Sequence, residues 1–158
     1  MRNRKNIRLQ GYDYSKNGYY FITICVKNKH QLLSQIVWTS VGAATCRPHI
    51  KLTNEGKITD SAIKNIPKIY PMISVDKYVI MPNHIHMILV WHDNGRQIAA
   101  PTIQNVIGHL KRTISIQCTF SSWQKSFHDH IIRNENEYQH ICQYIDENPQ
   151  NGQKMIII

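Results

Sequence analysis

At 158 residues the chain has the length of one compact domain with a core of its own, and nothing in that length calls for a second. Its 19 Lys+Arg against 10 Asp+Glu leave a net charge of +9, which favours nucleic acid as the macromolecular partner over an anionic membrane surface. Cys25, Cys46, Cys118 and Cys142 form no C-x-x-C pair, so zinc ribbons and dithiol redox motifs find no support, and a reduced cytosol is the expected compartment.

The first ten residues, "MRNRKNIRLQ", form a basic arm (1–10) without the apolar core of a signal peptide, so no secretion is expected. "YYFITICV" (19–26) follows the turn-like "SKNG" and is rich in aromatic and β-branched residues, which predicts a central strand. From 31 to 53 the pattern is irregular, with Gly42 and Pro48 as interruptions, and reads as a loose hairpin or surface excursion. "NEGKITDSAIKNIPKIYP" predicts a short helix opening at Asn54 and ended or bent by Pro67.

"ISVDKYVIMP" and "HIHMILVW", separated by Pro82 and Asn83, predict two neighbouring antiparallel strands. The run "IHMILVW" is far short of the roughly 20 residues that span a bilayer, so a soluble protein is expected. In "TIQNVIGHLKRTISIQC", Ile103, Val106, Ile107, Leu110 and Ile114 make one stripe of an amphipathic helix, with Lys111 and Arg112 toward the other side. "WQKSFHDHIIR" suggests a last strand, and "NENEYQHICQYIDENP" a last helix with Asn134 as N-cap and Glu137 completing an approximate capping box, closed at Asn148-Pro149. The order predicts one α+β domain over 1–158: a ferredoxin-like, RRM-like antiparallel sheet with helices on one face, plus a C-terminal helix.

Two motifs carry chemistry. Alternate residues of a strand share a face, so His84 and His86 project together, half of a metal site or two polar residues on a solvated face. "HDH" at 128–130 has the same spacing, and the apolar flanks of 84–86 favour that pair as the rigid one. On the last helix, His140, Tyr144 and Asn148 fall one turn apart along a stripe, with Ile141 and Ile145 as the buried contacts. A tyrosine hydroxyl is a poor nucleophile at its free pKa and needs a metal or a base to act on a phosphate.

With these motifs in hand, the chain resembles the REP-associated tyrosine transposases, within the wider class of single-tyrosine HUH (His-hydrophobic-His) transposases of insertion sequences. The resemblance runs nearly end to end, through "IRLQGYDYSKNGYYFITICVKN", "YVIMPNHIHMILV", "PTIQNVIGHLKR" and "WQKSFHDHIIRNENEYQHICQYIDENPQNG". Its most specific part is "MPNHIH" followed by the Tyr-x-x-x-Asn-Pro helix. It is least complete at "QKMIII", beyond which many relatives run on.

The resemblance implies that His84, His86 and Asn148 are ligands of Mg²⁺ or Mn²⁺, and that Tyr144 is a nucleophile forming a 5′-phosphotyrosine on the C-terminal helix. It implies a substrate of single-stranded DNA beside a short palindromic hairpin, a bacterial cytoplasmic, nucleoid-associated setting, and a monomer or homodimer. Arg2, Arg4, Lys5 and Arg8 of the arm, with Lys111 and Arg112, are the candidate DNA contacts, against solvated charge as the plainer reading. Two alternatives stay open: a non-catalytic DNA-hairpin-binding module stacking bases on Tyr19, Tyr20 and Phe21, and a metal-dependent hydrolase using water.

Overall fold

The computed structural model describes residues 17–41, 45–92, 101–118 and 123–151. A four-stranded antiparallel sheet is built from β1 (Gly18–Cys25), β4 (Ile73–Ile80), β5 (His84–Trp91) and β6 (His128–Ile132), in the order β4-β5-β1-β6. A separate two-stranded sheet pairs β2 (Ser34–Val41) with β3 (Thr45–Leu52). The helices are α1 (Asn54–Lys64), the short α2 (Ile66–Ile69), α3 (Ile103–Cys118) and α4 (Glu135–Glu147). The sheet with α1, α3 and their strands is the expected ferredoxin-like α+β arrangement.

Strand alternation divides the core in two. Tyr20, Ile22 and Ile24 of β1 and Ile85, Met87 and Leu89 of β5 face Ala62 and Ile63 of α1 and the predicted stripe of α3, from Ile103 to Ile114. Phe21, Ile88, Val90 and Ile132 face the other way and meet Ile141 and Ile145 of α4. The first three helices therefore lie on one face and α4 covers the other. Every residue of β5 is buried, which explains why "HIHMILVW" reads as a nearly continuous apolar run and not as an alternation.

In the region 34–52, two eight-residue strands pair antiparallel along their full length, and among the described residues their only sheet partners are each other. Thr53, one residue before the expected helix start, caps α1: its Oγ1 accepts from Gly56 N and donates toward the Leu32 and Leu33 carbonyls. Gly56 is required at that contact, because a Cβ there would sit 1.9 Å from the Leu33 carbonyl oxygen. Pro67 lies in the first turn of α2, where a missing N–H costs nothing, after α1 has ended at Lys64.

Side chains clamp α4 to the sheet. Tyr138 Oη donates to Asp76 Oδ2 at 2.6 Å, and Lys77 Nζ to Asp146 Oδ2 at 2.7 Å. At the other end, Asn134 Oδ1 accepts from Glu137 N, while the Glu137 carboxylate takes Arg133 N and bonds His130 Nε2. The expected capping box is thus displaced by one residue, reaching Arg133 N in place of the N-cap amide. No helix among the described residues is long and apolar enough to cross a membrane.

Candidate active site between the central strand and the last helix

The register of β5 against β1 sets His84 opposite Cys25 and His86 opposite Thr23, all on the face covered by α4. The two imidazoles are 4.6 Å apart between centroids and are almost completely buried, at 3% and 0% exposure. The turn at 81–83 fixes the start of the strand: Met81 N donates to His84 O, and Val26 N to Asn83 O. Tyr144 reaches the pair from α4, with its hydroxyl 3.2 Å from His86 Nε2. Asn148, the C-cap of the same helix, is buried and lies against the His84 ring. His84, His86, Tyr144 and Asn148 are therefore brought together by one strand and one helix of a single chain. His140 is exposed on α4.

Each ring is held through Nδ1. His84 Nδ1 lies 2.6 Å from Asn83 Oδ1, an oxygen that can only accept, so Nδ1 carries the proton and Nε2 a lone pair. That Nε2 is buried without a hydrogen-bond partner. His86 Nδ1 lies 2.8 Å from Thr23 Oγ1, and Nε2 faces the Tyr144 hydroxyl, an arrangement served by the same tautomer. The Phe21 ring stacks on His86 at 5.3 Å and fixes its plane.

Burial pushes His84 down to about 4, offset in part by Asn148. Burial, and then the neighbouring His84, push His86 down to about 3. Both rings are neutral at ordinary pH, the state in which imidazole ligates metal. A buried, unpartnered nitrogen lone pair beside a second imidazole and a carboxamide fits a divalent cation. Among the described residues, no group of three or more His, Cys, Asp or Glu is placed to hold a metal ion.

Other expectations fare differently. Arg2, Arg4, Lys5 and Arg8 lie outside the described residues. Arg112 is exposed, but Lys111 is half-buried, with Nζ donating at 2.9 Å to both Gln124 O and Ser126 O, which ties α3 to the segment before β6. Burial lowers Lys111 to about 8. Both belong to the helix layer on the opposite side of the sheet from Tyr144. Tyr20 and Phe21 are buried beneath helices, so they offer no open sheet face to bases, whereas Tyr19 is 43% exposed. Of the "HDH" pair, His130 ties β6 to the first turn of α4. The ring-orienting roles of Thr23, Asn83 and Phe21 escaped the sequence reading, which has Asn83 only in a turn and Phe21 only as a base-stacking candidate. The available signals were a hydroxyl inside the apolar "YYFITICV" and a carboxamide directly before His84.

No family model matches the chain. It is 32% identical over 167 aligned residues to an uncharacterized protein of Haemophilus influenzae, covering 92% of this chain and 88% of that one. It is 23% identical to the REP-associated tyrosine transposase of Escherichia coli K12, covering 86% of this chain and 68% of the relative. Among solved structures, it matches a REP-associated tyrosine transposase bound to a REP hairpin with a TM-score of 0.67 and 22% identity, covering 94% of this chain and 76% of that one. A Deinococcus radiodurans protein provisionally described as a transposase matches with a TM-score of 0.51 and 16% identity, covering 89% of this chain and 95% of that one. In its fold and in an alignment over most of its length, the chain is similar to the REP-associated tyrosine transposases.

Proposed function

We propose that the chain is a metal-dependent single-strand DNA endonuclease and strand transferase, cutting beside DNA hairpins through a covalent 5′-phosphotyrosine on Tyr144. The observation that carries this reading is the approach of Tyr144 Oη to within 3.2 Å of the second imidazole of a buried, neutral histidine pair, across 58 residues of sequence. The hairpin is suggested by the relative whose structure holds one, and a net charge of +9 suits a polyanion.

His84 and His86 through Nε2 and Asn148 through its amide oxygen would hold Mg²⁺ or Mn²⁺, which when bound supplies charge neutralisation and polarisation of the scissile phosphate. Tyr144 supplies the nucleophile. Its Oη forms a bond to phosphorus, the P–O3′ bond breaks, and the proton lost by the phenol ends on the departing 3′-oxygen. The products are a 5′-phosphotyrosine and a free 3′-hydroxyl. One phosphodiester replaces another, so no ATP is required, and the 3′-hydroxyl of a second strand can reverse the step. The Tyr138–Asp76 and Lys77–Asp146 clamps hold α4 in place, and Phe21 and Thr23 hold the His86 ring, which is the preorganisation that such a transfer demands.

The test is to react the protein with hairpin-bearing single-stranded DNA and Mn²⁺, digest with nuclease and trypsin, and identify the modified peptide by mass spectrometry. A nucleotide retained on Tyr144 is the expected result. Free 5′-phosphate ends without modified peptide would favour a water-using hydrolase instead.

A further inference from the structure

A cleft of about 250 Å³ opens directly beside His84, between the first strand of the 34–52 hairpin and the turn that precedes His84. Its polar lining is Gln31, Gln35 and Asn83, apart from His84 itself; Ile36, Met81 and Pro82 supply apolar walls. Among the described residues, no carboxylate, ammonium or guanidinium lines it. We propose that this cleft is a base-recognition pocket for the unpaired nucleobase adjoining the scissile phosphate, with Gln31 and Gln35 as the residues that choose among bases. The assignment rests on the strand-transfer reading of the adjoining site.

Three features support this occupant. A cleft without cations is poorly suited to a phosphate but well suited to an uncharged ring, whose faces pack on Ile36 and Pro82 and whose edge meets carboxamides. Asn and Gln can present a donor and an acceptor together, which is the pattern needed to read a base edge. Gln31 and Gln35 are both exposed, and neither side chain finds a hydrogen-bond partner among the described residues, so their capacity is unspent.

The pocket is also rigidly coupled to the chemistry. Leu32 N and Leu33 N both donate to Pro82 O, at 2.9 and 3.0 Å, and Ser34 Oγ donates to Ile80 O at 2.8 Å. The segment bearing Gln31 and Gln35 and the turn bearing Asn83 therefore form one body. Asn83 commits its Oδ1 to His84 Nδ1, which leaves its NH₂ as the group available to a base. A base seated there would bear on the same side chain that orients His84.

The experiment is a binding selection in EDTA, using DNA hairpins flanked on each side by four randomised nucleotides, with the wild-type protein and the Gln31→Ala/Gln35→Ala variant. Bound DNA is recovered from native gels and sequenced. The wild type is expected to prefer one base by about tenfold or more at a flanking position, and the variant to flatten that preference to about twofold while still binding the hairpins. The same preference in the variant, no flanking preference in the wild type, or no binding at all would overturn the proposal. Because selection in EDTA requires no chemistry, failure to form a tyrosine adduct in a parallel Mn²⁺ reaction would refute the catalytic reading without touching this result.

Discussion

The Tyr144 hydroxyl rests 3.2 Å from His86 Nε2, on the same lone pair that ligation of a cation would use. One nitrogen lone pair cannot serve both, so the hydrogen bond and the metal compete. Removing the hydroxyl removes the competitor: Tyr144→Phe is expected to bind Mn²⁺ up to about fivefold more tightly than wild type, the worth of one ordinary hydrogen bond. Calorimetric titration measures this. Weaker binding by the Phe variant would mean that the tyrosine is itself a ligand.

Asn83 should matter to the metal without touching it. Its Oδ1 holds the proton of His84 on Nδ1, which leaves Nε2 free to ligate. Asn83→Ala is expected to lower Mn²⁺ affinity by about 10- to 100-fold, as losses of such orienting partners do, while Asn83→Asp, which keeps the acceptor, retains most of it. Equal affinity in wild type and Asn83→Ala would show that the ring needs no such support.

Gly56 is a matter of stability. The added methyl of Gly56→Ala would meet the Leu33 carbonyl at 1.9 Å, and that carbonyl already accepts from Thr53, so neither backbone can retreat easily. Overpacking of this kind costs about 1–3 kcal/mol. Urea unfolding should show a loss in that range or beyond; an unchanged midpoint would contradict the packing described.

Acid should loosen the start of α4. The hydrogen bond from Arg133 N, followed by that with His130, holds the Glu137 carboxyl below its ordinary 4.5. A depressed carboxylate stabilises the fold above its unfolded-chain value, and that contribution disappears as pH falls through the lower, folded value. Wild type should therefore melt above Glu137→Gln at pH 7, and the gap should narrow progressively as pH falls below the ordinary 4.5 and through the lower, folded value. A gap independent of pH would assign the effect to packing alone.

Much of this arrangement is legible locally. The strand carrying His84 and His86 announces itself through continuous apolar content, and α4 through Asn134, Ile141, Ile145 and Asn148-Pro149, because each signal lies within one element. What the sequence does not disclose depends on register or closure between elements. Thr23 meets His86 across 63 residues, a pairing set by how β1 slides against β5. Among the described residues the strands Ser34–Val41 and Thr45–Leu52 pair only with each other, and Trp38 is 57% exposed, so no partner strand of the main sheet imposes an alternation to read. Lys111 sits off the apolar stripe of α3 and reads as a solvated cation, yet the fold brings two carbonyls onto it. That α4 covers the far face of the sheet follows from the burial of both sides of β5, visible only once the other helices are placed.

The most direct test of the central claim is a denaturing gel of the protein with labelled hairpin-bearing single-stranded DNA in Mn²⁺, beside Tyr144→Phe, His84→Ala and an EDTA control. The account predicts a slow-migrating covalent adduct in the wild type that is lost in all three. An adduct persisting in Tyr144→Phe, or hairpin binding with no adduct across a broad set of hairpins, would contradict it.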